Sequence, residues 1–166
     1  MKKKLLFVLC AAILLVAGMR YNTASFYTIT EVFDGDTIAV TMSGRSEKVR
    51  LIGIDTPETK DPRKPVQCFG PESSDYTKKL LAGKRIRLQA DPFSTNRDRY
   101  NRLLRYAYLE DGTFYNAQLV QKGYARAYTG FPFTYSSNFS AYEKQAQSEK
   151  LGLWGACTTE ANEDVL

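Results

Sequence analysis

The chain has 166 residues, of which 43% are apolar, 25% charged and 13% aromatic, a composition that suits one globular domain with one core. It contains no histidine and only three cysteines, which excludes Ser-His and Cys-His nucleophile pairs, a histidine base, imidazole-built metal sites and a four-cysteine zinc site. The net charge of +5 is mostly local: without Lys2, Lys3, Lys4 and Arg20, the 23 basic residues fall to 19 against 18 acidic ones, a net +1, so a polyanion must be attracted by local patches rather than by a global field.

Residues 1–24 begin with three lysines and continue with an uncharged run from Leu5 to Met19. This is the build of an export signal and falls short of the roughly 20 apolar residues of a spanning helix. Cleavage after Gly18 or after Ala24 fits equally, and an uncleaved N-terminal anchor is the alternative. The expectation is an exported protein, secreted or periplasmic. Export gives meaning to Cys68 and Cys157, the two thiols beyond the leader: in an oxidising compartment they are expected to form a disulfide. Closing a loop of about 90 residues would stabilise by roughly 4 kcal/mol on the chain-entropy account.

Period-2 alternation then predicts strands over 26–32, 37–42 and 48–54, with a hairpin turn at Ser43-Gly44-Arg45. Residues 55–65 read as a proline-bearing loop. Pro71 suits the first turn of a helix that carries Tyr76, Leu80 and Leu81 inward and stops at Gly83. Strands are expected over 85–90 and 103–109, separated by the polar, turn-rich stretch 91–101. A short helix follows over 116–122, then an irregular aromatic stretch over 124–139. An amphipathic helix over 140–150 ends at Leu151-Gly152-Leu153-Trp154, with Trp154 as its anchor. This order indicates an α+β fold built on a small coiled antiparallel barrel of the OB type.

Four acids lie close in sequence: Asp34 and Asp36 flank Gly35 between two strands, while Asp55 and Glu58 lie at the exit of the third. If the strands are neighbours, both sets converge at one rim. Converging carboxylates with no imidazole or thiolate suit Ca²⁺ or Mg²⁺. Taken singly, each acid has a plainer explanation, since Asp-Gly-Asp is a common turn and Asp55 before Thr-Pro can cap a loop. Arg50, five residues before Asp55, makes the group more specific: a guanidinium beside metal-binding carboxylates is what a phosphate substrate calls for. Between 84 and 105 a second basic segment interleaves Tyr100 with Arg99 and Arg102, the pattern of phosphate tracking with base stacking. Arg85, Arg87 and Arg105 are assigned instead to a strand's wet face.

Val-Phe-Asp-Gly-Asp-Thr (32–37), Val-Arg-Leu-Ile-Gly-Ile-Asp-Thr-Pro-Glu-Thr (49–59), Phe-Gly-Pro-Glu (69–72), Asp-Arg-Tyr-Asn-Arg-Leu-Leu (98–104) and Gly-Leu-Trp (152–154) resemble, in order, the staphylococcal nuclease family of thermonuclease-like enzymes. The resemblance implies an OB-fold five-stranded antiparallel β-barrel with three helices over 25–157; the acidic residues of 158–166 read separately as a flexible tail. The resemblance also implies calcium-dependent, sugar-nonspecific cleavage of single- and double-stranded DNA and of RNA to products with 3′-phosphates, by a monomer. By motif, Asp36, Asp55 and the Thr56 carbonyl would bind Ca²⁺, and Glu58 would activate or orient the attacking water. Arg50 and Arg102 would hold the scissile phosphate and stabilise the transition state, with Tyr100 and Tyr128 lining the nucleotide site. Asn101 stands where such enzymes carry glycine, and asparagine tolerates the left-handed backbone better than most residues. The alternative is a non-catalytic nucleic-acid-binding module of the same fold, which would need neither the acids nor the arginine pair. A calcium-stabilised adhesion or envelope domain would explain the acids and the leader but not the arginines.

Overall fold

A computed structural model describes residues 25–59, 62 and 65–157; the expected leader and acidic tail lie outside the described residues. Five strands close into a barrel: β1 (Phe26–Val32), β2 (Thr37–Met42), β3 (Arg45–Leu51), β5 (Arg85–Gln89) and β6 (Leu103–Tyr108), in spatial order β1-β2-β3-β6-β5. Two-residue strands β4 (Ile54–Asp55) and β7 (Arg126–Ala127) pair with each other beside it. The helices are α1 (Gly70–Leu81), α2 (Tyr115–Gln121), α3 (Ser136–Ser148) and the single turn α4 (Leu153–Ala156). Among the described residues, no helix is long and apolar enough to cross a membrane.

The β1 and β2 bounds agree with expectation, although their burial does not simply alternate: a bulge between Ile29 and Glu31 shifts the register of β1, and Thr37 to Val40 at the start of β2 are buried on both faces. Ile29, Ile38, Val40, Val49, Leu51 and Ile86 fill the barrel interior. The third strand differs from expectation: it starts at Arg45 and breaks after Leu51. Gly53 adopts φ +75°, and a Cβ there would lie 2.6 Å from the Phe133 ring, so the chain turns and resumes as β4. The closing seam also differs from a purely antiparallel barrel, since β3 and β6 run parallel. Asn116, fully buried on α2, serves this seam: its Oδ1 accepts the Ala107 N–H, and its Nδ2 donates to the Ile52 carbonyl (2.9 Å each).

The inward face of α1 is not the one that hydropathy suggests. Leu81 is buried, whereas Tyr76 and Leu80 are half-buried, and Ser73, Ser74 and Thr77 occupy the rest of the interior face. Small polar residues suit this close approach because they are bonded. The Ser73 hydroxyl donates to the Tyr124 carbonyl (2.7 Å), Thr77 Oγ1 donates to the Gly35 carbonyl (3.2 Å), and the Tyr115 hydroxyl donates to Thr77 Oγ1 (2.9 Å). Helix α3 begins four residues earlier than its apolar spacing indicates. At the last turn Leu153 is the fully buried anchor, while Trp154 is half-buried with the Arg126 guanidinium 5.3 Å from its ring. Arg85, Arg87 and Arg105 take the surface roles expected of them: Arg85 pairs with Glu110 (2.6 Å), Arg87 lies over the Tyr108 ring, and Arg105 Nη2 donates to Asn96 Oδ1.

Cys68 and Cys157 are joined by a disulfide, as expected. A second tie is Asp91, buried at the end of β5. Its carboxylate accepts the N–H groups of Phe93 (2.7 Å), Ser94 (3.1 Å) and Thr134 (2.8 Å) and the Tyr106 hydroxyl (2.6 Å). Burial by itself would raise its pKa, but the bonds from Thr134, Tyr106 and Phe93 outweigh burial and hold it at about 2. Because the folded pKa lies below the unfolded one, the carboxylate stabilises the fold above pH 4 by about 2 kcal/mol, and that contribution disappears as pH falls from 4 towards 2. Asp91→Asn is therefore expected to be destabilised by at least that amount at pH 7, with the gap to the parent markedly narrower at pH 2.5. Urea unfolding at the two pH values checks it; a gap independent of pH would refute the ionic account.

Candidate active site

Asp36 stands just before β2, and Thr37 pairs with Arg50 across the β2–β3 ladder, so the turn chemistry and the third strand meet at one rim. Gly35 permits this: a Cβ there would lie 2.5 Å from Thr56 Cγ2 and 2.7 Å from Ser73 Oγ, and only glycine lets the 55–58 loop and α1 close onto the turn. Asp34 has the turn role anticipated for it, accepting the Asp36 N–H on Oδ1 (3.1 Å).

Asp36 is 5% exposed. Its Oδ2 accepts the N–H (2.9 Å) and hydroxyl (3.1 Å) of Thr56 and contacts Arg50 Nη1 at 2.8 Å, while Oδ1 accepts from the Thr37 hydroxyl. Arg50 Nη2 donates to Asp55 Oδ1 (2.7 Å) and Nη1 to the Ile54 carbonyl (2.8 Å). One guanidinium thus bridges two aspartates 19 positions apart in sequence. Burial opposes its charge, but Asp36 and Asp55 prevail and raise its pKa further. Burial, then the charge of Asp36, lifts Asp34 to about 7 and Asp55 to about 6, in the latter case against the pull of Arg50 and Arg126. Burial therefore works against ionisation of both carboxyls.

Arg102 approaches from the other side. Asp98 accepts the N–H of Tyr100 and of Arg102 on Oδ1 (2.9 Å each) and the Arg102 Nε on Oδ2 (2.7 Å). These bonds hold a tight turn whose fourth residue, Asn101, is left-handed (φ 64°), the conformation that asparagine tolerates. Arg102 Nη1 reaches Thr37 Oγ1 at 3.5 Å. Glu58 lies on the opposite lip, fastened through its backbone. Its N–H donates to Gln67 Oε1 (2.7 Å), its carbonyl accepts the Gln67 N–H, and its own Oε1 accepts the Thr59 N–H (2.8 Å). Gln67 is the neighbour of the bridged Cys68.

These residues enclose an acidic recess of about 180 Å³ bounded by Asp34, Asp36, Asp55, Thr56, Glu58, Arg50 and Arg102. Beside it, sharing Arg50, Asp55 and Arg102, opens a cleft of about 880 Å³ that contains Arg99, Tyr100, Tyr128, Phe93, Phe131 and Pro132. Tyr100 is 64% and Tyr128 47% exposed; the Tyr128 N–H is held by the Gly53 carbonyl (2.9 Å). All eight residues singled out for catalysis, metal and nucleotide thus meet at one place, although Asp36 and Tyr128 are 92 positions apart.

The donor set is oxygen only, and its carboxylates, Asp34, Asp36, Asp55 and Glu58, outnumber Arg50 and Arg102, so it fits a hard divalent ion. Among the described residues no three such side chains form an assembled metal cage, since Arg50 spans Asp36 and Asp55. Phe93, which lines the cleft at 67% exposure, was not anticipated. Its signal is a lone aromatic between proline and serine in a polar loop.

Residues 48–156 match the family described as staphylococcal nuclease homologue. The chain belongs to this family. Among its relatives are the thermonucleases of Staphylococcus hyicus, 40% identical over 139 residues that span 83% of this chain and 80% of the relative, and of Staphylococcus intermedius, 42% identical over 129 residues that span 77% and 75%. Endonuclease YncB of Bacillus subtilis is 40% identical over 129 residues, 76% of this chain and 60% of that protein. The match spans the Arg50–Asp55–Glu58 segment and the Arg102 turn, so the staphylococcal nuclease family supplies a common context for both sides of the recess.

Proposed function

We propose that this protein is an exported, calcium-dependent nuclease, acting as a monomer, that hydrolyses phosphodiester bonds of DNA and RNA and leaves 3′-phosphates. The observation that carries this reading is the junction of the two cavities. A carboxylate-rich recess and a cation-and-aromatic cleft share Arg50, Asp55 and Arg102, which is where a phosphate between two bases would lie. The thermonuclease and endonuclease relatives support a nuclease, and the Cys68–Cys157 bridge supports export, because such bonds persist in oxidising compartments.

Asp36, Asp55 and the Thr56 carbonyl would hold Ca²⁺, which when bound supplies charge neutralisation at the phosphate and acidifies water. Arg50 and Arg102 donate to the nonbridging oxygens and gain most as negative charge accumulates there. The Glu58 carboxylate accepts the proton of the attacking water on a side-chain oxygen. The new bond forms from water oxygen to phosphorus, the P–O5′ bond breaks with its electron pair on O5′, and O5′ takes a proton from solvent, which leaves the phosphate on the 3′ side and a free 5′-hydroxyl. No contact identifies the sugar, since the cationic and ring-stacking groups address phosphate and base.

Incubating purified protein with single-stranded DNA and with RNA, in Ca²⁺ or in EGTA, followed by end-group analysis, tests the reading. Ca²⁺-dependent cleavage of both to 3′-phosphate ends is expected. EGTA-resistant cleavage would overturn the calcium assignment, and tight binding without cleavage would establish the binding-module alternative.

A further inference from the structure

Phe93, Tyr100 and Tyr128 are three of the five most exposed large apolar side chains among the described residues, and all three line the one cleft. Tyr100 and Tyr128 belong to the proposed nucleotide site, but Phe93 is left without a partner role. A phenyl ring 67% exposed on a loose loop would be unremarkable, yet this loop is fastened. The Phe93 and Ser94 N–H groups both donate to the buried Asp91 carboxylate, and the Ser94 hydroxyl donates to the carbonyl of Pro132 (3.2 Å), which also lines the cleft. The ring is thus presented to solvent on a rigid support, and a ligand that covers it loses little ordering entropy.

The cleft selects the ligand's charge. Arg50, Arg99 and Arg102 line it, and Arg99 lies 4.8 Å from the Tyr100 ring with Nη2 donating to its hydroxyl. Cations alternating with exposed rings match a strand of phosphates alternating with bases better than an apolar peptide or a lipid. Phe93, like Tyr100 and Tyr128, lines the cleft and not the acidic recess, so all three rings stand on the base-binding side of the reacting phosphate.

Resting on the nuclease reading, we propose that Phe93 is a stacking platform for the nucleotide next to the one held at Tyr100 and Tyr128, so that the protein grips an unpaired strand over two successive bases. Stacking on a ring face requires a base turned out of a duplex, so the platform favours single-stranded over double-stranded substrate and strands over dinucleotides.

The test is steady-state kinetics of the parent protein, Phe93→Ala, Phe93→Leu and Phe93→Trp on a single-stranded octanucleotide and on a dinucleotide with one phosphodiester. Phe93→Ala should raise KM for the octanucleotide by about tenfold more than for the dinucleotide; Phe93→Trp should restore it and Phe93→Leu should not. Equal effects on both substrates, or rescue by leucine, would overturn the platform. A second readout is independent of cleavage: quenching of an octanucleotide carrying 2-aminopurine. Quenching lost in Phe93→Ala supports the platform even if the parent cleaves neither substrate, which would sink the nuclease reading alone; quenching retained in Phe93→Ala overturns the platform.

Discussion

Arg102→Ala is expected to lower turnover by about 10³-fold or more while leaving substrate affinity much less affected. Removal of one preorganised donor to a developing anion has effects on this scale, and Arg102 is preorganised. Asp98 binds its Nε at 2.7 Å and its N–H at 2.9 Å, the left-handed Asn101 sets its direction, and its free end points between Thr37 and the cleft. With that geometry held before substrate arrives, little reorganisation is needed as charge accumulates on the phosphate. Lysine should rescue poorly, since its ammonium cannot reproduce the planar fork. Single-turnover rates on single-stranded DNA, with circular dichroism to confirm the fold, check this; a loss below tenfold would refute the assigned role.

The second large effect concerns stability. Joining Cys68 to Cys157 closes a loop with a sequence separation of 89 residues, which restricts the unfolded chain and is worth about 4 kcal/mol on the entropic account. For a domain of this size, loss of the bridge should lower the melting temperature by on the order of 10 °C. The bridge ties the segment after α4 to the start of α1, which otherwise has no side-chain cap: its N-cap residue is Phe69, left-handed at φ 65°. Melting curves with and without reductant, and of the Cys68→Ser/Cys157→Ser pair, measure it. An unchanged midpoint in both would show that the bridge contributes nothing.

The elements that were legible in the residues are those where a local rule and the packing agree. The β1 and β2 bounds follow from their runs of β-branched and aromatic residues between turn residues, even though a bulge in β1 and two-sided burial at the start of β2 break strict alternation. Pro71 near the start of α1 and the polar Asp91–Asn101 loop follow from backbone chemistry that does not depend on neighbours. Where neighbours decide, local patterns mislead. Serine and threonine line the inner face of α1 because hydroxyls can reach the Gly35 and Tyr124 carbonyls where the helix comes close. Leu153 rather than Trp154 is buried at the chain's last turn, since the close Gly123–Gly152 contact aims the leucine at the core. The turn that follows β3 needs a glycine at 53 because Phe133, 80 positions later, leaves no room for a Cβ.

The site divides along the same line. Residue types by themselves excluded imidazole chemistry, because the chain has no histidine, and motif order pointed to the family to which the chain belongs. Only the tertiary structure decided that Arg50 bridges Asp36 to Asp55, that Arg102 faces them from a turn caged by Asp98, and that Phe93 shares a cleft with Tyr100 and Tyr128. Composition is a property of single residues, whereas a site is a set of distances, and in this protein those distances are set by the register of β2 on β3 and by the parallel seam between β3 and β6.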